Sequence, residues 1–142
     1  MQFGHKIKVH TVHRGNQRRR QEDHIHHCED LNNLIVLKLI LQPLVENSIY
    51  HGIRPKGEHG LIRISIYSFD QKVHFKVFDT GIGMTRYQIE RLLNGEDGRS
   101  FGFQATINRI KNFYQVDDVV RIRSVEGEFC EIEIIIPFEN MR

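Results

Sequence analysis

Tryptophan is missing from this chain, and its two cysteines, Cys28 and Cys130, lie far apart and form no CxxC pair. Neither a zinc site nor a disulfide framework can be built from them, so a reducing compartment, the cytoplasm, is the expected setting. Long apolar runs are lacking too. None approaches the roughly 18 to 20 residues that span a bilayer, and no charged-then-apolar leader stands at the N-terminus. The piece is expected to be soluble, with any membrane anchor lying elsewhere in a longer protein. An excess of one charge is also absent: the formal net charge is +2. Basic residues gather only at Arg18, Arg19 and Arg20, without interleaved aromatics, so no nucleic-acid partner is expected. Proline is scarce, yet an apolar fraction of 39% and a charged fraction of 27% are those of a soluble globular protein and exclude disorder over the whole length. At 142 residues the expected organisation is one domain, 1–142, large enough to bury a single core.

What is present is periodicity. Residues 3–12, FGHKIKVHTV, set Ile7 and Val9 against Lys6, Lys8 and His10, the pattern of an edge or half-buried strand. Residues 13–30 mix basic, acidic and imidazole side chains almost without apolar period and read as a polar loop. From about Leu34 to Gly52, the residues Leu37, Leu41, Leu44, Val45, Ser48 and Ile49 recur at three- and four-residue steps, which predicts a helix with one core-facing stripe. Pro43 predicts either a kink near Gln42 or a regular start at Pro43, and Gly52 a C-terminal stop. The alternating runs 61–69 and 72–79, split by Asp70 and Gln71, predict an antiparallel hairpin. Thr85 and Gln88 form a capping-box signature for a short helix that turns Ile89, Leu92 and Leu93 inward. Residues 94–102 have a flexible loop's composition. A third helix follows from about Gly102, with Phe103, Ile107, Ile110 and Tyr114 on one stripe, and 119–125 and 130–137 alternate as strands. Together these elements predict an α/β two-layer sandwich, a mostly antiparallel sheet with helices on one face.

Asp79 is the most informative residue on local grounds. The alternation that buries Val73, Phe75 and Val77 carries its carboxylate to the apolar side. A buried carboxylate needs a donor, and that donor is either a ligand or the local amides of an Asx-type turn. Gly81 and Gly83 follow it, permitting positive φ and letting a flat ligand approach the backbone. On the first helix Asn47, Tyr50 and His51 stand at i, i+3 and i+4 and share a face roughly opposite the apolar stripe. An amide oxygen suits Mg2+, which keeps waters and shares phosphate oxygens, and Tyr50 and His51 would then donate to those phosphates. The alternative for His51 is a helix-terminal histidine set favourably against the dipole.

The stretches LILQPLVENSIYHGI, VFDTGIGM and GFQATINRIKNFY, in this order and spacing, resemble the N box and the two glycine boxes of the ATP-binding domain of bacterial sensor histidine kinases, in the LytS/YesM-like subfamily with a QPLVEN-type N box. The resemblance runs from about Phe3 to Pro137. It implies the Bergerat-type fold shared with the gyrase, Hsp90 and MutL ATPases, a mixed sheet under three helices with ATP held between the helical layer and a lid. It also implies that Asn47 coordinates Mg2+, that Asp79 accepts the adenine amino proton, and that Gly81, Gly83 and Met84 shape the base pocket. Residues 94–101 would be the ATP lid, and Ser100, Phe101, Gly102 and Phe103 would bring the start of a helix to the phosphates. Hydrolysing relatives carry a glutamate four residues before the asparagine, where this chain has Pro43. Glu46 points about 100° away from Asn47 and is left to orient a magnesium-bound water.

Transfer rather than hydrolysis is therefore expected. The resemblance implies that the γ-phosphoryl of Mg-ATP passes to a histidine on a separate dimerisation segment, with a response regulator downstream, in a membrane-anchored homodimer whose ATP-binding domain is cytoplasmic. His24, His26 and His27 lack the apolar heptad-like context of that segment and are not expected to be the acceptor; with Cys28 they suggest at most an adventitious metal site. Two departures stand out. Ser100 to Ala105 lacks one glycine and the asparagine of the second glycine box, and Phe129 and Cys130 replace a Gly-Thr pair. They leave open a second reading, a degenerate nucleotide-binding or regulatory interaction module of a sensor protein.

Overall fold

The computed structural model describes residues 7–14, 31–57, 59–96, 98 and 101–137, and the side chains of these except in 7–14, 31–38, Ser68 and Phe101. Arg18 to Arg20, His24, His26, His27, Cys28, Ser100 and most of the polar 13–30 segment lie outside the described residues.

Within them, β1 (Ile7–Arg14), β2 (Gly60–Phe69), β3 (Lys72–Asp79), β4 (Val120–Val125) and β5 (Phe129–Pro137) form one sheet in the order β1-β2-β3-β5-β4. The pairing of β1 with β2 is parallel, and the others are antiparallel. The parallel pair follows from connectivity, since α1 (Leu31–Asn47) intervenes and a crossover returns the chain in the same direction. Between β2 and β3, Asp70 and Gln71 adopt φ of 50° and 57°, the left-handed pair that a two-residue hairpin turn requires.

Strand register builds the core. Ile62, Ile64 and Ile66 stand opposite Asp79, Val77 and Phe75, which in turn stand opposite Cys130, Ile132 and Ile134. Against this face pack Ile40 and Leu44 of α1, Leu92 of α3 (Arg86–Leu93), and Phe103, Ile107 and Ile110 of α4 (Phe101–Tyr114). The predicted α/β sandwich, a mostly antiparallel sheet under helices, is the fold found.

Details differ from the sequence expectations. Pro43 lies inside α1. Gly52 does not end the helix: the chain continues as a π-helical turn, Ser48–Ile53, and a last α-turn, α2 (Arg54–Lys56), closed by Gly57 at φ 72°. Gly57 supplies the left-handed C-cap that Gly52 was expected to provide. The inward stripe is centred on Ile40, Leu44 and Ser48, with Leu41, Val45 and Ile49 at its flanks. Leu93 is 40% exposed, not inward, because Leu92 takes the core position and successive helix residues are about 100° apart. The capping box at α3 is present in both directions: the Gln88 amide donates to Thr85 Oγ1 at 3.2 Å, and the Thr85 amide donates to Gln88 Oε1 at 2.8 Å.

Candidate functional site

Asp79 ends β3 with only 1% of its surface exposed. The Gly81 amide donates to its Oδ1 at 2.9 Å, and the Ser48 hydroxyl donates to the same carboxylate. Of the two donors considered for the buried carboxylate, the local amide of an Asx-type turn is present, joined by the Ser48 hydroxyl. Burial pushes the carboxyl above its ordinary 3.8, and the Ser48 and Gly81 hydrogen bonds and the Lys56 charge oppose that rise without cancelling it.

Glycines let the backbone close around this carboxylate. A Cβ on Gly52 would stand 2.7 Å from Asp79 Oδ1, and one on Gly81 would overlap the Gly52 backbone. The Ile82 amide donates to the Gly52 carbonyl at 3.0 Å, locking the loop after β3 onto the π-helical turn. Gly83, at φ 66°, is pressed against the Val125 and Phe129 carbonyls. In the direction a Cβ would take, Gly81 and Gly83 are thus packed against the protein's own backbone. Next to them, the half-buried Met84 donates its amide to Ser124 Oγ at 2.8 Å, and Ser124 donates to the Phe129 carbonyl at 2.6 Å.

Asn47 is the last α-helical residue before the winding changes, and it is half-buried, as is His51; Tyr50 is 52% exposed, with the Arg54 guanidinium 4.4 Å from its ring centroid. The i, i+3, i+4 alignment assumed α-helical winding. From Ser48 the turn is wider, with the Arg54 amide bonded five residues back to the Ile49 carbonyl, so Asn47, Tyr50 and His51 are not stacked as on a regular helix. Glu46 is exposed and accepts from Gln42 Nε2 at 3.0 Å.

The beginning of the expected lid is tied to α3. Gly95, at φ 71°, and Glu96 donate their amides to the Leu92 and Arg91 carbonyls at 3.3 and 3.0 Å, a Schellman closure. At the start of α4, Gly102 is exposed, and a Cβ there would meet nothing within 4 Å. Phe103 is 3% exposed and belongs to the core, which leaves its backbone rather than its ring available to a ligand.

Three residues around Asp79 escaped the sequence reading. Ser48 belongs to the apolar stripe by its spacing and does lie there, but its hydroxyl serves the carboxylate. Cys130 stands opposite Asp79 in β5, its thiol pushed up to about 12 by burial and by the Asp79 charge. The Lys56 ammonium donates to the Thr80 carbonyl at 3.1 Å, next to Asp79 in the chain. A serine on a buried stripe was the one local signal; the other two depend on pairing between distant strands and loops.

Comparison with known proteins identifies the family and the fold. Residues 32–140 match the family described as Histidine kinase-, DNA gyrase B-, and HSP90-like ATPase. The sensor histidine kinase YpdA of Escherichia coli (strain K12) is 34% identical over 114 residues, 80% of this chain and 20% of YpdA. The sensor histidine kinase YesM of Bacillus subtilis (strain 168) is 31% identical over 119 residues, 84% of this chain and 19% of YesM. The chain spans about a fifth of the length of these curated relatives. Among solved structures, the catalytic domain of histidine kinase ThkA is similar in fold, with a TM-score of 0.62 at 17% identity over 92% of this chain and 78% of that one. This chain belongs to the histidine kinase-, DNA gyrase B- and HSP90-like ATPase family, in which YpdA and YesM are sensor histidine kinases.

Proposed function

We propose that this chain is the ATP-binding catalytic domain of a sensor histidine kinase, which binds Mg-ATP and presents the γ-phosphoryl to a histidine on a separate dimerisation segment of the same receptor. The observation that carries the reading is Asp79, a carboxylate 1% exposed, held by Ser48 and Gly81 and backed by glycine backbone. A family of ATPases gives such a carboxylate an evident use: accepting the exocyclic amino proton of adenine, a donor that rewards its burial. Gly81, Gly83 and Met84 would border the base.

The donor set fits magnesium. Among the described residues no group of three or more His, Cys, Asp or Glu side chains is placed to cage a metal. Asn47 offers a half-buried amide oxygen, the hard, neutral ligand that Mg2+ takes together with waters and phosphate oxygens. Such an ion would supply charge neutralisation at the phosphates. Tyr50 and His51 would donate to phosphate oxygens, Glu46 would orient a water, and the amides opening α4 at Phe101 and Gly102, with Ser100 before them, would face the anionic chain. Positioning and charge are most of what phosphoryl transfer demands, so no nucleophile is needed from this domain. The whole receptor would be a membrane-anchored homodimer with this domain in the cytoplasm, passing phosphate on to a response regulator.

The second reading, a regulatory module with impaired phosphate handling, draws on Ala105, whose side chain lacks the amide expected there, and on Phe129 and Cys130 in place of Gly-Thr. Calorimetric titration of the folded protein separates the two. Mg-ADP and Mg-ATP are both expected to bind; absence of binding at millimolar nucleotide removes the kinase reading. ADP binding with no gain for ATP from Mg2+ favours the module.

A further inference from the structure

β4 is the last strand of the sheet, and its outer edge has no partner strand among the described residues. The Ile135 amide donates to the Val119 carbonyl at 2.8 Å, and bonded pairs alternate along antiparallel strands. Val119, Arg121 and Arg123 therefore bond to β5, while the amides and carbonyls of Val120, Ile122 and Ser124 point outward. Among the described residues no backbone hydrogen bond from another element reaches these outward groups. Val120–Val125, at 6 residues, is long enough to pair with one more extended segment.

The charge along this edge has one sign. Arg121 and Arg123 lie on the open face of the sheet, opposite Glu133 and Glu131 in register, yet both carboxylates serve other donors. Glu133 accepts from Tyr67 at 3.0 Å and lies 2.6 Å from His74 Nδ1, and Glu131 is shared by Lys76 at 3.7 Å and Arg123 at 3.5 Å. Arg121 has no ion-pair partner among the described residues, and the Arg123 side chain stays 74% exposed. With Lys76, Ile122, Glu131 and Glu133, the two arginines line an open groove of about 590 Å³.

Arginines on an edge strand disfavour pairing with a second copy. Antiparallel pairing of β4 with another β4 would set arginine against arginine, and like charges directly opposite destabilise. A strand of opposite sign meets no such barrier: carboxylates two residues apart would face both arginines, while its main chain continues the ladder. Nucleic acid fits the surface less well. Glu131 and Glu133 repel phosphates, and the Phe78 and Phe129 rings, stacked at 5.5 Å, already carry the Arg63 and Arg123 guanidiniums at 5.6 and 5.8 Å in place of bases.

We propose that β4 is a docking edge for an extended acidic protein segment, which adds to the sheet as a strand and sets carboxylates at i and i+2 against Arg121 and Arg123. Neither arginine belongs to the nucleotide site. The probes are fluorescent octapeptides in which threonine alternates with glutamate or with lysine, and a permuted peptide with the same threonines and glutamates in adjacent pairs, so that no two glutamates stand two apart. Binding to the 142-residue chain is followed by anisotropy, with thermal melts confirming the fold of each variant. Wild type should bind the alternating glutamate peptide about threefold more tightly than the permuted one, the effect of losing one cross-strand charge pair. Arg121→Glu combined with Arg123→Glu should weaken that peptide about tenfold and take up the lysine peptide instead. N-methylation of alternate residues of the glutamate peptide, in each of the two phases, should abolish binding in one phase only, because pairing uses one edge of the added strand. Arg121→Gln with Arg123→Gln should show a smaller loss in the same direction should the charge reversal fail to fold. Equal binding of the permuted peptide, binding that survives N-methylation in both phases, or no binding of any peptide at millimolar concentration overturns the docking edge. Tighter binding of oligothymidylate than of the glutamate peptide also overturns it, by marking a nucleic-acid surface.

Discussion

Burial leaves Asp79 with 1% of its surface exposed and a carboxyl held above its ordinary 3.8, so its charged form costs the folded state free energy. The sign follows from proton affinity: the folded protein binds this proton more tightly than the unfolded chain, so the penalty is absent at acid pH and grows as pH rises through the folded value. Asp79→Asn should therefore melt at or above the wild-type temperature at pH 7 while losing adenine nucleotide binding in a calorimetric titration. A collapsed melt or an intact affinity would remove Asp79 from its proposed role. Gly52 gives a complementary case. Alanine normally stabilises a helix interior over glycine by roughly 0.5–1 kcal/mol, but here its Cβ would stand 2.7 Å from Asp79 Oδ1, an atom the Gly81 amide already holds. Gly52→Ala should destabilise by about 1–3 kcal/mol in urea unfolding, and a gain in stability would show that the carboxylate can yield. Asp79 was readable from the parity of its strand. Gly52 was not, because a glycine that stops a helix and a glycine that admits a distant side chain look alike until that side chain is placed.

Elements were legible wherever their cause is local. Two residues between two alternating runs give the β2–β3 hairpin, and Thr85 with Gln88 gives the start of α3. The π-helical turn was not legible, since a stripe at three- and four-residue steps accommodates either winding over so few residues. Nor was the parallel pairing of β1 with β2, which depends on where the crossover delivers the chain. The hairpin turn also shows a local choice at odds with its element: Asp70 and Gln71 both sit at positive φ, which costs a residue with a Cβ about 1 kcal/mol or more. Replacing the pair by Asn-Gly, the dipeptide this turn favours, should raise stability by about 1 kcal/mol in chemical denaturation. Lower stability would mean that the Asp70 or Gln71 side chain contributes more than its strain.

The sheet gives the molecule a second face, turned away from the helices, and its polar cluster opposes Asp79 in sign. Tyr67 donates to Glu133 Oε1 at 3.0 Å, His74 Nδ1 lies 2.6 Å from the same oxygen, and the Tyr67 and His74 rings stack at 4.7 Å. β2, β3 and β5 are thereby joined through one carboxylate. Burial raises the Glu133 carboxyl, but His74, Tyr67 and Lys76 together bring it below its ordinary 4.5. A depressed folded value means that the ionised group stabilises the fold, fully above about pH 4.5 and progressively less as pH falls through the folded value. Glu133→Gln should cost about 2 kcal/mol at pH 7, the worth of hydrogen bonds to a charged group, and less at pH 3. Asp79→Asn should show the opposite pH trend. The two residues project to opposite faces, and β3 separates Asp79 from Lys76, the register partner of Glu133, by three positions, about 10 Å. Their effects should accordingly add in the double variant within about 0.5 kcal/mol, with ADP affinity unchanged by Glu133→Gln alone. Urea unfolding of the four proteins at both pH values tests this. A coupling well above that limit, or a nucleotide affinity that follows Glu133, would mean that the open face of the sheet communicates with the site beneath the helices.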